Sequence, residues 1–135
     1  MLKGGCINPE IMKAISLCGH GDQILIADGN YPLDAKTGGA QKVYLGLTAG
    51  VPEVTQVLET LLQNINVEKA EVMLPEDGST PEIFADFTRL LGGMALDGLD
   101  RWAFYGACCE PKVRLAISTG EKRVFANILL TVGVV

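Results

Sequence analysis

Residues 18–32 read CGHGDQILIADGNYP, and this stretch decides the fold. Its centre, Ile24 to Ala27, is a short apolar run bounded by turn-forming residues. Such a run is typical of a strand inside a sheet that is covered on both faces. The chain's only histidine, His20, precedes the run, and Asp28 follows it. Because ligands of open α/β sheets bind beyond the carboxyl ends of the strands, the residues after Ala27 form the first candidate site.

Around this strand the sequence alternates between helical and strand patterns. Four segments have the apolar spacing and the start and stop signals of helices: residues 8–19, 52–65, 79–93 and 102–109. Five segments have the short apolar or alternating pattern of strands: residues 23–27, 41–47, 70–74, 115–118 and 127–131. Helices that alternate with buried strands predict an α/β protein, a three-layer α/β/α sandwich with a central, largely parallel sheet.

Length and charge narrow the class of protein. The 135 residues fit one domain, residues 1–135, and a domain of this size buries roughly two thirds of the surface that its unfolded chain exposes. A net charge of −5 without a basic cluster argues against a nucleic-acid or anionic-membrane partner. No apolar run approaches the roughly 20 residues needed to span a bilayer, and no secretory signal begins the chain. We therefore expect a cytoplasmic protein.

Cysteine usage agrees with that expectation. The four cysteines, Cys6, Cys18, Cys108 and Cys109, form no C-x-x-C pair, and a single histidine leaves no plausible zinc ligand set. Reduced thiols in the cytosol are the simplest interpretation. We expect no metal site. The high hydrophobic content, 48%, is expected to leave apolar surface for a partner subunit.

Several motifs resemble one known family. Three of them are similar to the start of the fucose mutarotases and ribose pyranases: MLKG at residues 1–4, GHGD at 19–22 and DGNYP at 28–32. RWAFY at residues 101–105 looks like the aromatic segment of the fucose branch. Three later motifs resemble the closing strand of the family: TGE at 119–121, ANILL at 126–130 and GV at 133–134. The resemblance spans nearly the whole chain.

The resemblance implies a function and an assembly. Members of the family interconvert the anomers of free monosaccharides without metal or cofactor, and the fucose branch implies L-fucose as the sugar. They are cytoplasmic homo-oligomers that form rings, often decamers, with sites where subunits meet. We therefore expect an isomerase whose partners are a monosaccharide and further copies of the chain.

The resemblance also implies site residues. His20 and Asp28 match the polar pair of one half-site, Arg101 and Tyr105 match a second cluster, and Asn127 matches an asparagine on the closing strand. One position departs from the family pattern. Phe125 stands where a tyrosine is usual, so a phenol that could donate to the sugar is missing there.

These residue types suit the chemistry. Opening a pyranose ring requires one group to take the proton of the anomeric hydroxyl while another protonates the ring oxygen. Histidine can do either near neutral pH. We hypothesise that His20 is the general acid/base, that Asp28 orients it or accepts a sugar hydroxyl, and that Tyr105 is the second proton carrier. Four further side chains are expected to contact the sugar, together with Phe125: Arg101 and Asn127 through its hydroxyls, and Trp102 and Tyr31 through its C–H face, a face that Phe104 could also offer.

Each residue also has an ordinary structural interpretation. A histidine beside a helix end can serve as a cap, Asp28 can form an Asx-turn, and Arg101 can pair with Asp97, Asp100 or a neighbouring subunit. Aromatic residues on a short helix pack in cores or at interfaces. At the level of function, the alternatives are a D-ribose pyranase, a non-catalytic sugar-binding protein on the same fold, and a purely structural oligomer.

Overall fold

The computed structural model describes residues 1–135 and contains one sheet of six strands. The strands are β1 (Gln23–Ala27), β2 (Gln41–Tyr44), β3 (Val67–Met73), β4 (Leu96–Leu99), β5 (Val113–Ser118) and β6 (Ile128–Val132). The helices are α1 (Pro9–Leu17), α2 (Val54–Leu62), α3 (Ile83–Leu90) and α4 (Arg101–Cys108). None of the four helices has both the length and the apolar character that a membrane crossing requires.

The sheet is mixed, and one strand accounts for this. The strand order is β2-β5-β1-β6-β3-β4. The pairs β2 with β5, β5 with β1, and β3 with β4 are parallel, whereas β6 is antiparallel to both β1 and β3. The amino end of β6 therefore lies beside the carboxyl ends of β1 and β3, and its carboxyl end lies beside their beginnings. The predicted largely parallel sheet is confirmed.

Helices cover both faces of the sheet, as the sequence predicted. Alternate residues of a strand point to opposite faces, and all five residues of β1 are buried. Ile24 and Ile26 belong to a core that packs against α1, α2 and α3. Leu25 and Ala27 belong to a smaller core on the other face, closed by α4 and side chains of residues 31–40. The result is the expected α/β/α sandwich, with a thinner layer on the α4 side.

The start of α1 follows the predicted capping chemistry. Asn8 Oδ1 accepts a hydrogen bond of 3.0 Å from the backbone N–H of Ile11, and Pro9 occupies the first helical position. The helix ends at Leu17, and Cys18 has extended backbone ahead of Gly19. This end delivers the chain to the turn that carries His20.

The elements differ from the sequence prediction in several places. α2 ends at Leu62 instead of residue 65, and β3 begins at Val67 instead of residue 70. β4 was not predicted, because Asp97 and Gly98 interrupt its apolar pattern and none of its residues is fully buried. β2 ends at Tyr44 instead of residue 47, since the next residues turn toward Val51, whose carbonyl accepts from the Leu47 N–H at 2.9 Å. α3 begins at Ile83 and not at residue 79, because Ser79 binds the Asp77 carboxylate in a local turn.

The segment between β5 and β6 is anchored by one buried carboxylate. Glu121 is 3% exposed, and its oxygens accept from the Arg123 guanidinium at 2.9 and 3.0 Å. One of them also accepts from the Val54 N–H at the start of α2. Burial by itself raises the pKa of Glu121, but the hydrogen bonds and positive charge of Arg123 outweigh burial and hold the pKa below its ordinary value. This anchor fixes the chain just before residues 124–127.

Candidate functional site

Polar side chains from three parts of the chain meet at one edge of the sheet. Asp28 follows β1, Arg101 opens α4 directly beyond β4, and Asn127 immediately precedes β6. They meet because β6 runs antiparallel to its neighbours. A cavity of about 250 Å³ lies at this edge and is lined by Asp28, Asn30, Tyr31, Met73, Arg101, Tyr105, Val124, Phe125 and Asn127. Six of the eight predicted site residues are among them.

Asp28 is held by three donors. It is 2% exposed, and its Oδ1 accepts from the Asn30 N–H at 2.9 Å. Its Oδ2 accepts from the Ala126 N–H at 3.2 Å and from Asn127 Nδ2 at 3.3 Å. The bond to Asn30 is the Asx-turn that the structural interpretation anticipated, although the carboxylate also lines the cavity.

Burial outweighs these hydrogen bonds electrostatically. Removal from water raises the pKa of Asp28 above its ordinary value of 3.8, although the bonds from Asn30, Ala126 and Asn127 each lower it. A carboxylate in this state has an increased affinity for a proton. This property suits a group that accepts a hydrogen bond, or a proton, from a ligand hydroxyl.

Asn127 connects the two strands at the floor of the cavity. Its Oδ1 accepts from the Asp28 backbone N–H at 2.9 Å, while its Nδ2 donates to the Asp28 carboxylate. Asn127 is 3% exposed, so both amide ends are used in a buried position. Asn127 therefore holds both the main chain and the side chain of Asp28 in place.

The aromatic residues divide into wall, support and periphery. Tyr31 and Tyr105 line the cavity with ring centroids 5.5 Å apart, edge to face. The Tyr31 hydroxyl donates to the Lys36 carbonyl at 2.9 Å, which leaves Tyr105 as the phenol available to a ligand. Phe104 is fully buried against Tyr31, so the suggestion that it offers a face to a sugar is wrong. Trp102 is 68% exposed, contacts Tyr105 edge-on, and lies outside the cavity lining.

Phe125 lines the cavity in an unusual conformation. Its φ is 58°, the only positive φ of a residue other than glycine in the chain. For a bulky side chain this conformation costs of order 1–3 kcal/mol and persists only where neighbouring contacts fix the backbone. The Glu121 anchor precedes it, and the Ala126 N–H bound to Asp28 follows it. The strain therefore belongs to the path that the chain takes around the cavity.

Arg101 is free of its suggested intrachain partners. Asp100 caps α4, since its Oδ1 accepts from the Ala103 N–H at 2.9 Å. Asp97 lies 4.0 Å from Lys69 Nζ. Arg101 instead lines the same cavity as the buried Asp28, so the cavity lining contains one basic and one acidic residue.

His20 lies at the opposite edge of the sheet. It occupies a turn in which the Asp22 N–H donates to the Gly19 carbonyl at 3.1 Å, and Gly21 has the positive φ, 89°, that the third position of a type II turn requires. The five residues of β1, roughly 16 Å at about 3.3 Å per residue, separate this turn from Asp28. The expectation that Asp28 orients the imidazole is therefore wrong within a single chain.

The partner of His20 is Glu68, which sequence reasoning missed. His20 Nε2 lies 2.9 Å from Glu68 Oε2 and 3.1 Å from Oε1. The two residues meet across the end of β6: the Gly21 N–H donates to the Val132 carbonyl, and Val67 pairs with Val132. Forty-eight positions separate them, and only the antiparallel direction of β6 brings them together.

Other features do not compete for the role of the site. A larger cavity, about 420 Å³, is lined by glycines and by loop residues such as Thr119 to Lys122, and its Glu121 is already bound by Arg123. No three His, Cys, Asp or Glu side chains are grouped to hold a metal ion. All four cysteines are free, and burial raises the pKa of Cys108 to about 12.

Comparison with known proteins adds sequence relatives over the full chain. The RbsD / FucU transport protein family matches residues 1–135. D-ribose pyranase of Yersinia enterocolitica is 33% identical over 142 aligned residues, which cover 99% of both chains. D-ribose pyranase of Streptomyces coelicolor is 33% identical over 134 residues, which cover 99% of this chain and 98% of the relative.

Two solved structures share the fold. Bacillus subtilis RbsD, complexed with D-ribose, has a TM-score of 0.86 at 27% identity, with coverage of 100% of this chain and 99% of the other. The fucose mutarotase of Streptococcus pneumoniae, in complex with L-fucose, has a TM-score of 0.81 at 26% identity, with coverage of 96% and 94%. Similarity in sequence and in fold thus extends from one end of the chain to the other.

The contacts of Asp28 give a first prediction. Asp28→Asn turns an NH₂ group toward a backbone N–H that now has an acceptor, so we expect the free energy of unfolding to fall by about 1–3 kcal/mol. Chemical denaturation at pH 7 measures the change. Asn30→Ala is the matched control, because it keeps the backbone donor and removes only an exposed side chain. Equal stability of Asp28→Asn and the wild type would contradict this account of the cavity floor.

Proposed function

Because the chain belongs to the RbsD / FucU transport protein family, we propose that it is a monosaccharide mutarotase, an isomerase that interconverts the anomers of a free sugar. The observation that carries the proposal is the meeting of Asp28, Arg101, Tyr105 and Asn127 at one small cavity. The proposal needs no cofactor, since side chains alone can transfer the protons. We place the reaction in the cytoplasm.

The cavity matches a monosaccharide in size and chemistry. At about 250 Å³ it is smaller than the about 300–1,000 Å³ typical of sites for drug-sized ligands. Its carboxylate, guanidinium, amide and phenol groups can each bind a sugar hydroxyl. Met73, Val124 and Phe125 supply an apolar wall for the C–H side of the ring. This mixture fits a polyol with one apolar face.

The reaction requires an acid and a base on either side of the anomeric centre. In our proposal the imidazole of His20 takes the proton of the anomeric hydroxyl, and the Tyr105 phenol protonates the ring oxygen as the ring opens. Rotation about the C1–C2 bond and reclosure with the roles reversed give the other anomer. Asp28, with its pKa raised by burial, accepts a sugar hydroxyl, while Arg101 and Asn127 hold others. Tyr31 is proposed to contact the C–H face from the cavity wall, and Trp102, which lies outside the lining, from its position beside Tyr105.

The position of His20 leads us to propose a site shared between subunits. His20 and Asp28 lie at opposite ends of β1, so one copy of the chain would supply the imidazole to the cavity of another. The exposure of the His20 and Glu68 side chains, 59% and 44%, supports this arrangement. So does the exposure of three apolar side chains near the cavity edge: Leu74, Trp102 and Val124. We propose a homo-oligomeric ring, with a decamer as the expected form.

L-fucose is the sugar we favour. The segment that resembles the fucose branch, residues 101–105, contributes Arg101 and Tyr105 to the cavity. A 6-deoxy sugar also carries a methyl group, and burying one against an apolar wall contributes about 0.8 kcal/mol. D-ribose is the second candidate, because relatives at 33% identity are D-ribose pyranases and RbsD was solved with D-ribose. A non-catalytic sugar-binding protein is a further alternative, because Phe125 lacks the phenol that is usual at this position in the family.

Anomer-exchange NMR tests the proposed function directly. We expect the α and β signals of L-fucose to exchange faster with the protein than in buffer, with smaller accelerations for D-ribose and rhamnose. L-galactose is the matched control, since it differs from L-fucose only by a hydroxyl on C6, which an apolar wall disfavours. Saturation transfer without faster exchange would favour the binding protein. A panel in which no sugar binds would overturn the whole proposal.

A mixing experiment tests the shared site. The His20→Ala and Asp28→Asn variants are each expected to lose most activity. In an oligomer that contains both, some cavities combine the native His20 of one chain with the native Asp28 of another. Random co-assembly at equal amounts predicts about a quarter of the wild-type exchange rate, because one subunit in two supplies each native residue. Co-expression with two tags, followed by tandem purification and anomer-exchange NMR, measures it. Activity no greater than the sum of the separate variants would show that the two residues do not act across an interface.

Substitution of Phe125 is predicted to raise the rate of anomer exchange. Phe125→Tyr restores a phenol at the cavity wall without changing the backbone strain, because both aromatic residues tolerate φ near 58° equally poorly. One well-placed general acid typically contributes about 10²- to 10⁴-fold, and because Tyr105 already supplies a phenol we expect a smaller rise in the exchange rate, about 10-fold. Phe125→Leu is the control for loss of the ring. An unchanged rate in Phe125→Tyr, with sugar binding intact, would show that Tyr105 and His20 already suffice.

A further inference from the structure

We propose that Glu68 is the positioning residue of His20 and that the atom of His20 which meets the substrate is Nδ1. The inference rests on the proposed function, because it assigns the reacting atom of the same site. It depends on a contact inside one chain: His20 Nε2 lies 2.9 and 3.1 Å from the two oxygens of Glu68. Glu68 does not line the candidate cavity of its own chain.

The chemistry of the two groups fixes the tautomer. An ionised carboxylate only accepts hydrogen bonds, so the ring nitrogen that faces it must carry a proton. A neutral imidazole has one protonated nitrogen, and the lone pair therefore resides on Nδ1. Nδ1 is the atom that can take the proton of an anomeric hydroxyl.

Backbone contacts hold both partners in place. The turn that carries His20 is tied to β6 by the Gly21 N–H, which donates to the Val132 carbonyl at 2.9 Å. On the other side of β6, the Gly133 N–H donates to the Asn66 carbonyl at 2.8 Å. A Cβ at Gly133 would lie 3.3 Å from the Glu68 Cβ, so glycine gives the Glu68 side chain room there. The carboxylate and the imidazole are thus carried by neighbouring, paired backbone segments.

Nearby charged groups have other partners. Asp22 accepts from the Gly19 N–H at 2.8 Å and thereby closes the His20 turn. Lys69 lies 3.3 Å from Glu71 and 4.0 Å from Asp97. His20 is therefore the side chain to which the Glu68 carboxylate is hydrogen-bonded. Because both side chains are largely exposed, the pair contributes little to stability, which points to orientation of the ring as its role.

Nitrogen NMR tests the tautomer without any sugar. His20 is the only histidine, so 15N-histidine labelling of the assembled protein gives one pair of ring nitrogens, which magic-angle-spinning spectra resolve. At a pH where the ring is neutral, we expect the protonated nitrogen to be Nε2 in the wild type. Glu68→Ala should redistribute the proton between the nitrogens. Glu59→Ala, which removes an exposed carboxylate elsewhere, should leave the spectrum unchanged.

Kinetics then separate positioning from binding. Glu68→Ala is expected to lower kcat for anomer exchange about 10-fold or more with little change in KM, and Glu68→Asp to recover part of the loss. The melting temperature of Glu68→Ala should equal that of Glu59→Ala. A wild-type spectrum with the proton on Nδ1, or a Glu68→Ala variant with native tautomer and native kcat, would overturn the inference. The Nε2–H tautomer in a protein that exchanges no sugar would instead overturn the proposed function, and with it the catalytic role of Nδ1.

Discussion

The direction of β6 is the constraint on which the rest of the structure depends. It runs antiparallel between β1 and β3 in a sheet whose other pairs are parallel. Its first end places Asn127 beside Asp28, and its second end joins the turn of His20 to the start of β3. A parallel β6 would exchange these ends and separate both pairs. Five residues of ladder thus organise two groups of polar side chains at opposite edges.

At the first edge, the balance between burial and hydrogen bonding gives Asp28 its character. Two backbone donors and one amide compensate a carboxylate that is 2% exposed, yet burial still raises its pKa. If the hydrogen bonds fully offset the cost of burying the carboxylate, Asp28 would be stable but would gain little from a further hydrogen-bond donor. Incomplete compensation leaves a carboxylate for which another donor, such as a sugar hydroxyl, remains favourable. The cavity side of Asp28 is where such a donor can reach it.

Short sequence patterns were enough to predict those helices and strands whose formation depends on a few neighbouring residues. The Asn8 cap, the buried run of β1 and the apolar face of α2 each follow from a few neighbouring residues. β4 escaped prediction because an edge strand with Asp97 and Gly98 has no apolar run to detect. The family resemblance marked Asp28 and Asn127 as site residues but did not predict that they contact each other. The separation of His20 from Asp28, and its contact with Glu68, depend on the direction of a strand more than 100 residues away, which no local pattern contains.

Phe125 shows how fold and chemistry can be set independently at one position. Its left-handed backbone is imposed from both sides, by the Glu121 anchor before it and by the Ala126 bond to Asp28 after it. Phenylalanine and tyrosine differ only by a hydroxyl far from the backbone, so they bear nearly the same strain there. The backbone contacts therefore do not distinguish phenylalanine from tyrosine, which differ instead in whether a hydroxyl faces the cavity. Exchange of one for the other can add or remove a hydroxyl at the cavity wall while the path of the chain, and with it the Asp28 contacts, stays the same.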